Sequence, residues 1–396
     1  MSPLLPVADA LAAVLARAEA LPREQVLLEA AAGRILADSV ASIVDLPPFP
    51  SSSMDGYAVR AADVPGTLRI VGRVAAGRPE TRLLREGEAI EISTGGVVPG
   101  GADTVVPVER VVARPDEIEI SEATVQGDNI RRQGGDVHAG DQILGAGDLL
   151  TPARLAALAA CGIESVMSRR RPSVAVVVTG TELRAPGEPL APGQIYESNG
   201  IMLATALADV GARVERFGAT EDSEEALALV LERALEADVV VTSGGVSVGP
   251  HDLVRRVEAQ LGVEEVFWGV AIRPGKPLAF GVRGRTLVFG LPGNPVSALV
   301  GSQLFVRPAL LALQGHPDPA PPFRPGTLAR EIWPRPERDD FVRARVTWSD
   351  GGALLDPIVG QESHMIVHTT AADAIVHVPR GTEVLAPGAR ASFLLL

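Results

Sequence analysis

The chain has 396 residues, of which 46% are apolar and 21% are charged. This is ordinary globular composition, and the length indicates several domains because one core does not grow this large. The net charge of −13 argues against a nucleic-acid-binding protein, which would carry a basic face. No uninterrupted apolar stretch approaches the roughly 20 residues that span a bilayer. A single cysteine, Cys161, excludes an intrachain disulfide framework and favours a reducing cytoplasm.

The first half of the chain predicts a helical segment followed by β structure. Residues 1–21 are apolar but carry charged side chains and no basic leader, which predicts an amphipathic helix and not a signal peptide. A proline- and serine-rich loop covers residues 46–57, and short β-like segments with many glycines follow over residues 68–150. Thr151 and Pro152 then begin a helix that reaches about Ala160, with proline in its favoured first turn.

The second half predicts a three-layer α/β domain and a small β domain. Buried strands are predicted at residues 174–179, 238–242 and 286–290, with a shorter strand at 213–217. Helical patterns alternate with them, at residues 200–210, 223–236, and from about 252 and 295 onwards. Such alternation predicts a parallel sheet covered by helices. Residues 341–396 alternate apolar and polar side chains between glycine turns, which favours a β-barrel or sandwich.

Three glycine-bearing loops follow three of the predicted strands, at residues 179–183, 242–249 and 290–297. The carboxyl ends of parallel strands share one rim, where glycines let backbone N–H groups approach phosphate oxygens. The loops also supply polar side chains: Ser243, Ser247, Asn294 and Ser297. The alternative interpretation is that glycine and proline only make tight strand-to-helix turns.

Acidic residues are predicted to crowd the same rim. Glu182, Asp222 and Asp252 each follow a strand or a glycine loop. Asp222 and Asp252 can also be explained as helix caps. Several acids beside phosphate-binding loops favour a divalent cation, and Mg²⁺ suits hard oxygen ligands.

Other charged residues stand out beyond these loops. Asp55 precedes a glycine, and residues 129–136 combine Arg131 with Asp136, a pattern that can bind an oxyanion but also suits simple turns. Lys276, in residues 272–277, is the only lysine among 36 basic residues. A lone lysine in an arginine-rich chain indicates a site that needs a compact point charge, although chance also explains it.

Taken together, eight motifs resemble those of the molybdopterin molybdenumtransferase family, which includes MoeA and the E domain of gephyrin. The match is collinear over nearly the whole chain, at residues 53–58, 94–106, 129–132, 179–183, 193–199, 242–252, 273–277 and 291–297. The resemblance implies an elongated homodimer of four domains: a helical linker domain of residues 1–22 and 148–170, a β-rich domain of residues 23–147, a molybdopterin-binding α/β domain of residues 171–318, and a C-terminal β-barrel of residues 319–396. It also implies Mg²⁺-dependent insertion of molybdate into adenylylated molybdopterin, with release of AMP. Further partners that the resemblance implies are a molybdopterin adenylyltransferase and molybdoenzyme acceptors. It implies no binding to nucleic acid or to a membrane.

The resemblance also assigns roles to individual residues. The catalytic group is Asp55, Asp136, Glu182, Lys276 and Arg273, and the metal ligands are Asp222 and Asp252. Ser363 matches a C-terminal serine of the family and completes the substrate-binding set: Thr94, Arg131, Ser243, Gly244, Gly245, Ser247, Pro292, Gly293, Asn294, Ser297 and Ser363. With these assignments, Lys276 and Arg273 bind oxyanion or phosphate while the two aspartates anchor Mg²⁺.

Three positions depart from the family pattern: Arg273 replaces a lysine, Gly135 a glutamate and Thr181 an aspartate. Two alternative functions remain open, a tungstate-specific homologue and a non-catalytic molybdopterin-binding scaffold. A stand-alone adenylyltransferase is disfavoured because it lacks the domains that carry Asp55 and Asp136.

Overall fold

The computed structural model describes residues 4–220, 223–245 and 253–396. The chain divides into two compact units. The first unit comprises residues 1–24, 33–37 and 167–396, and the second comprises residues 25–32 and 38–166. The predicted four-domain division is finer than these two units and stays a prediction.

The helices of the described residues are α1 (Val7–Leu15), α2 (Pro152–Ala160), α3 (Asn199–Asp209), α4 (Glu224–Ala234), α5 (Leu253–Gln260), α6 (Pro295–Gly301) and α7 (Arg307–Leu313). The strands up to the end of the second unit are β1 (Arg23–Leu27), β2 (Val40–Ala41), β3 (Ser51–Ser52), β4 (Gly56–Val59), β5 (Gly66–Val74), β6 (Glu88–Ile92), β7 (Thr104–Pro107), β8 (Val112–Ala113), β9 (Glu117–Ile120), β10 (Ile130–Arg131), β11 (Gln142–Leu144) and β12 (Ser165–Arg169). The remaining strands are β13 (Ser173–Thr179), β14 (Leu183–Arg184), β15 (Ile195–Tyr196), β16 (Arg213–Thr220), β17 (Val239–Ser243), β18 (Glu264–Trp268), β19 (Ile272–Arg273), β20 (Ala279–Arg283), β21 (Thr286–Leu291), β22 (Arg324–Leu328), β23 (Asp339–Ser349), β24 (Gly352–Pro357), β25 (Ala374–Val378) and β26 (Arg390–Leu395).

The central sheet of the first unit has the order β16-β13-β17-β21-β20-β18. Alternate valines of β13 enter two different cores: Val174 and Val176 belong to one, and Val177 to the other. A sheet with an apolar core on each face needs helices on both sides. The three-layer α/β fold is therefore confirmed.

The sheet is mixed, which corrects the prediction of a parallel sheet. β16, β13, β17 and β21 run parallel, but β20 and β18 are antiparallel to their neighbours. Only Gly284 and Arg285 separate β20 from β21, and a two-residue connection can form a hairpin but not a parallel crossover. Helix α1 is also shorter than predicted, because it begins after Pro6 and ends at Leu15.

The C-terminal β domain is a closed barrel. Its strands pair in the order β23-β24-β22-β26-β25, and β25 pairs back onto β23. The barrel core includes Leu355, Val376 and Phe393, all at 0% exposure. Strand β19 lies parallel to the start of β23, with Ile272 opposite Asp339 and Arg273 opposite Asp340. The barrel sheet therefore continues into the segment that carries Arg273.

The second unit confirms the predicted β-rich domain. Its main sheet has the order β7-β4-β6-β5-β9-β8, and apolar clusters lie around Leu68 and around Ile90. Two short ribbons, β10 with β3 and β11 with β2, complete it.

One helical stretch of the described chain, Pro295–Leu313, is long and apolar enough to cross a membrane. It consists of α6, a π-helical turn at Ser302–Val306, and α7. Of its most apolar window, 78% is buried inside the protein. Val300, Leu304 and Phe305 belong to the large core of the first unit, so the stretch is a core helix.

Candidate functional site

A cavity of about 950 Å³ opens at the carboxyl ends of β13, β17 and β21. The three predicted glycine loops form its walls. Of the predicted site residues, the following line it: Glu182, Ser243, Gly244, Gly245, Pro292, Gly293 and Asn294. The structure thus brings together residues from three separate parts of the sequence.

Glycine is required at position 244, where these loops meet. Gly244 has φ +96°, and a Cβ added there would lie 2.7 Å from the backbone oxygen of Thr179. A Cβ added to Gly293 would lie 3.6 Å from the Gly244 Cα. The Gly244 N–H donates to the Leu291 oxygen at 3.2 Å, which joins the ends of β17 and β21. A side chain at position 244 would therefore force the loops apart.

Asn199, at the start of α3, is hydrogen-bonded to two of the loops that surround the cavity. Its Nδ2 donates to Ser243 Oγ at 2.9 Å and to the Gly293 oxygen at 2.7 Å. Its Oδ1 is buried and has no hydrogen-bond partner among the described residues. Sequence reasoning assigned Asn199 no role, although the residue ends the family motif at residues 193–199.

The acidic residues that line the cavity differ in how many hydrogen bonds they already accept. Glu197 accepts from the Gly200 N–H at 2.6 Å and from Arg216 Nη2 at 2.9 Å. The carboxylate of Glu182 is exposed and accepts no hydrogen bond from the rest of the described chain. Arg256, on another wall, donates to Glu224. Glu182 is therefore the acid best placed to receive a ligand or a cation.

The C-terminal barrel contributes the remaining wall. Asn294 Nδ2 donates to Ser363 Oγ at 2.9 Å, and the Val296 N–H donates to the Ser363 oxygen at 3.1 Å. His364 and Ile366, from the same loop, line the cavity. Sequence reasoning found Ser363 through a family motif but missed His364.

The segment that carries Arg273 and Lys276 lies beside α6. A Cβ added to Gly275 would lie 3.6 Å from the oxygen of Ser297, which is itself buried, and Pro277 lines the cavity. The Lys276 backbone oxygen accepts from Val270 and Leu278, at 3.0 Å each. Its ammonium has no ion-pair partner within the described ranges.

Arg273 is already partly engaged, because its Nε lies 3.4 Å from Asp340 Oδ1. Burial raises the pKa of Asp340, while the Arg335 N–H and the Arg273 guanidinium act in the opposite direction. Asp340 Oδ1 is buried and accepts no hydrogen bond from the described residues, which indicates that the carboxyl is poorly solvated. The Arg273 charge is thus shared with a buried acid, whereas no acid among the described residues shares the Lys276 charge.

In the second unit, Asp55 and Thr94 form a pair. The Thr94 N–H and hydroxyl donate to Asp55 Oδ1 at 2.7 and 3.0 Å. These hydrogen bonds lower the pKa of the Asp55 carboxyl. Arg131 lies on β10, opposite Ser51 of β3, and Asp136 is exposed in the following loop.

Three predicted site residues, Asp222, Ser247 and Asp252, lie outside the described residues. Within residues 4–220, 223–245 and 253–396, no group of three or more His, Cys, Asp or Glu side chains is arranged to hold a metal ion. The predicted magnesium site therefore stays a prediction.

A cavity at the carboxyl rim of an α/β sheet, enclosed by glycine loops, defines a ligand-binding domain of the kind that takes phosphorylated compounds. Three family models match the chain: the MoeA N-terminal region (domains I and II) at residues 5–162, a probable molybdopterin-binding domain at 175–312, and the MoeA C-terminal region (domain IV) at 325–396.

Relatives of known family are similar to this chain over most of its length. Molybdopterin molybdenumtransferase 2 of Mycobacterium tuberculosis is 37% identical over 91% of this chain and 92% of its own. Molybdopterin molybdenumtransferase of Haemophilus influenzae is 38% identical over 86% of each chain. The molybdopterin biosynthesis MoeA protein of Pyrococcus horikoshii has 35% identity and a TM-score of 0.82, with 99% of both chains covered. The chain belongs to the molybdopterin molybdenumtransferase family and is a transferase of molybdenum cofactor biosynthesis.

Proposed function

We propose that this transferase inserts molybdate into adenylylated molybdopterin and releases AMP, in a Mg²⁺-dependent reaction. The observation that carries the proposal is the cavity at the carboxyl rim of the central sheet. Its volume of about 950 Å³ suits a ligand larger than a free pterin. Gly244, Gly245 and Gly293 line the cavity without side chains, which lets a ligand approach their backbone and favours phosphate binding.

The cationic residues have a defined part in this proposal. The substrate contains a phosphoanhydride, and its cleavage puts negative charge on the departing AMP. Molybdate is a second anion, so positive charge has to hold the two together. Lys276 supplies a charge that no described residue neutralises, and Arg273 supplies one that it shares with Asp340.

The donor set of the cavity fits a magnesium ion in part. Mg²⁺ prefers oxygen ligands, and it is usually held by one or two carboxylates while it keeps several waters. Glu182 offers a carboxylate that accepts no hydrogen bond from the other described residues. Asp222 and Asp252 stay the predicted further ligands. When bound, the ion would act as a Lewis acid on the phosphate oxygens.

The deciding experiment measures AMP release from adenylylated molybdopterin by the purified protein. Release is expected only when molybdate and Mg²⁺ are both present. Lys276→Ala and Asp222→Ala should each abolish most of it. Arg285→Ala is a matched control, because it removes an exposed cation from the turn between β20 and β21, far along the strand from the rim. AMP release that is equal in all three variants would refute the roles of Lys276 and Asp222.

The same assay separates molybdate from tungstate. Competition between the two oxyanions is expected to favour molybdate in the product. Preferential incorporation of tungstate would establish the tungstate-specific alternative, and binding of molybdopterin without AMP release would establish the scaffold.

We also propose a cytoplasmic homodimer that receives its substrate from a molybdopterin adenylyltransferase and delivers its product to molybdoenzymes. The chain has a mass of 41.3 kDa. Sedimentation velocity should give twice that mass at micromolar concentration, and a monomer over the whole range would contradict the dimer.

A further inference from the structure

Residues 360–369, here called the wall segment, connect the C-terminal barrel to the cavity. Ser363 contacts Asn294, and His364 and Ile366 line the cavity. The segment contains no β-strand, and its last three residues begin a short 3₁₀ helix, Val367–Ala371. Its position must therefore come from contacts with the barrel.

Those contacts converge on one buried residue, Arg343, in the middle of β23. Its exposure is 0%. Nη1 donates to the Met365 oxygen and to Thr369 Oγ1, both at 2.7 Å. Nη2 donates to the Gly360 oxygen at 2.6 Å and to the Glu362 oxygen at 3.3 Å. One guanidinium thus contacts both ends and the centre of the wall segment.

The backbone of Arg343 adds a second attachment. Its N–H donates to Gln361 Oε1 at 3.0 Å, and its oxygen accepts from Gln361 Nε2 at 2.8 Å. The same Gln361 Nε2 also donates to the Ile358 oxygen. The wall segment is therefore fixed to a single position of β23 through both the side chain and the main chain.

A charge at this place is costly for the barrel. Burial lowers the pKa of Arg343, and no carboxylate among the described residues pairs with the guanidinium. A buried charge costs free energy unless it is hydrogen-bonded, and the acceptors that satisfy this guanidinium all come from the wall segment. The guanidinium and the wall segment therefore depend on each other for their position.

We propose that Arg343 is a positioning residue that sets the shape of the substrate cavity by holding the wall segment, and with it Ser363 and His364. The proposal rests on the proposed function, because it takes adenylylated molybdopterin as the ligand of the cavity. Arg343 itself touches no substrate. It acts through the placement of Ser363 against Asn294.

The test compares Arg343→Met and Arg343→Lys with Phe393→Leu. Phe393 lies in the barrel core on β26 and makes none of the hydrogen bonds that hold the wall segment, so its variant reports barrel destabilisation alone. Arg343→Met should raise the KM for adenylylated molybdopterin roughly tenfold, about 1.4 kcal/mol in binding, with kcat changed far less. Arg343→Lys should recover part of the loss, and Phe393→Leu should leave KM unchanged.

Two further measurements make the outcome decisive. Ser363→Ala combined with Arg343→Met should raise KM no more than Arg343→Met alone, because both act through one contact. Hydrogen exchange of amides in residues 360–369 should accelerate in Arg343→Met and not in Phe393→Leu, and it needs no activity. An additive double variant, or an equal rise in KM in Phe393→Leu, would overturn the proposal. Failure of the proposed function would appear differently, as absent AMP release by the wild type with the exchange pattern intact.

Discussion

At the scale of single residues, the distribution of positive charge separates Lys276 from Arg273. Arg273 lies beside the buried Asp340, whereas the Lys276 ammonium has no partner in the described part of the chain. An unpaired cation contributes little to the stability of the fold and remains available to an anion. Position 276 is also the only place where this arginine-rich chain uses lysine.

Substitution of Lys276 should therefore affect activity and leave stability nearly unchanged. Lys276→Ala should lower kcat/KM more than tenfold, about the loss of one charge-assisted contact. Lys276→Arg should retain only part of the activity, because a planar fork does not replace a compact charge. Steady-state kinetics and thermal unfolding of the three proteins measure both effects. A large fall in Tm for Lys276→Ala would indicate a structural role instead.

Gly244 allows a second prediction at this scale. Gly244→Ala should lower kcat/KM at least tenfold, because the new methyl group would meet the Thr179 oxygen and separate the loops around the cavity. Gly262→Ala is the matched control: Gly262 has φ +82° and nothing within 4 Å of an added Cβ, so it reports backbone strain alone, about 1 to 2 kcal/mol. Equal kinetic effects of the two variants would contradict the argument from close approach.

At the scale of elements, neighbouring strands of the central sheet are fastened at their amino ends. Asp238 immediately precedes β17, and it accepts from Arg170 Nη1 and Nη2 at 2.9 and 2.6 Å. It also accepts from the Ser173 N–H and hydroxyl, at the start of β13. Burial opposes ionisation of Asp238, but the hydrogen bonds from Arg170 and Ser173 prevail and lower its pKa. The network therefore sets the register of β13 against β17.

Removal of this charge should destabilise the protein in a pH-dependent way. A lowered folded pKa means that the stabilisation is present above the unfolded pKa, about 3.9, and is lost as the pH falls through the folded value. Asp238→Asn should cost about 1 to 3 kcal/mol at neutral pH, with the partial exposure of Arg170 favouring the lower end. Urea unfolding measures the difference, which should shrink as the pH falls below about 4.

An exposed pair provides the control for Asp238→Asn. Glu215 and Arg233 are paired with both side chains more than half exposed. Glu215→Gln should therefore change the unfolding free energy by less than about 1 kcal/mol. A cost of Asp238→Asn that stays constant down to low pH would contradict the charge-based explanation.

The elements that sequence reasoning found are those whose signal is local. The valine run of β13 is apolar on both faces, and Pro152 and Pro295 start their helices at the first turn. The antiparallel β18 and β20 were missed because their direction depends on the short turn at Gly284 and on pairing within the folded sheet. Asn199 and Arg343 were missed for a related reason: their partners are distant in sequence or are backbone atoms, which leave no motif.

At the scale of the whole molecule, the chain consists of two compact units with separate apolar cores. The two units alternate along the sequence: residues 25–32 and 38–166 belong to the second unit, and the residues before, between and after them belong to the first. The three parts found from composition and periodicity, a β-rich region, an α/β region and a barrel, are all present. The grouping into two units was not predicted, because it depends on contacts between parts of the chain far apart in sequence.

Calorimetry should detect the two units as separate thermal transitions, because multidomain proteins commonly depart from two-state unfolding. Asp238→Asn should lower only the transition of the first unit, which contains the network, and adenylylated molybdopterin should raise the same transition. A single transition whose calorimetric and van't Hoff enthalpies agree would show instead that the units unfold together.

The closure of the C-terminal barrel limits how this domain can meet other proteins. Each of its five strands is paired with a neighbour on both sides along at least part of its length, so the ring of strands has no free edge strand. Recognition by strand addition is therefore disfavoured. A protein that docks on the barrel therefore has to recognise mainly side chains and turns, and its specificity should follow the surface sequence of this domain more than its backbone.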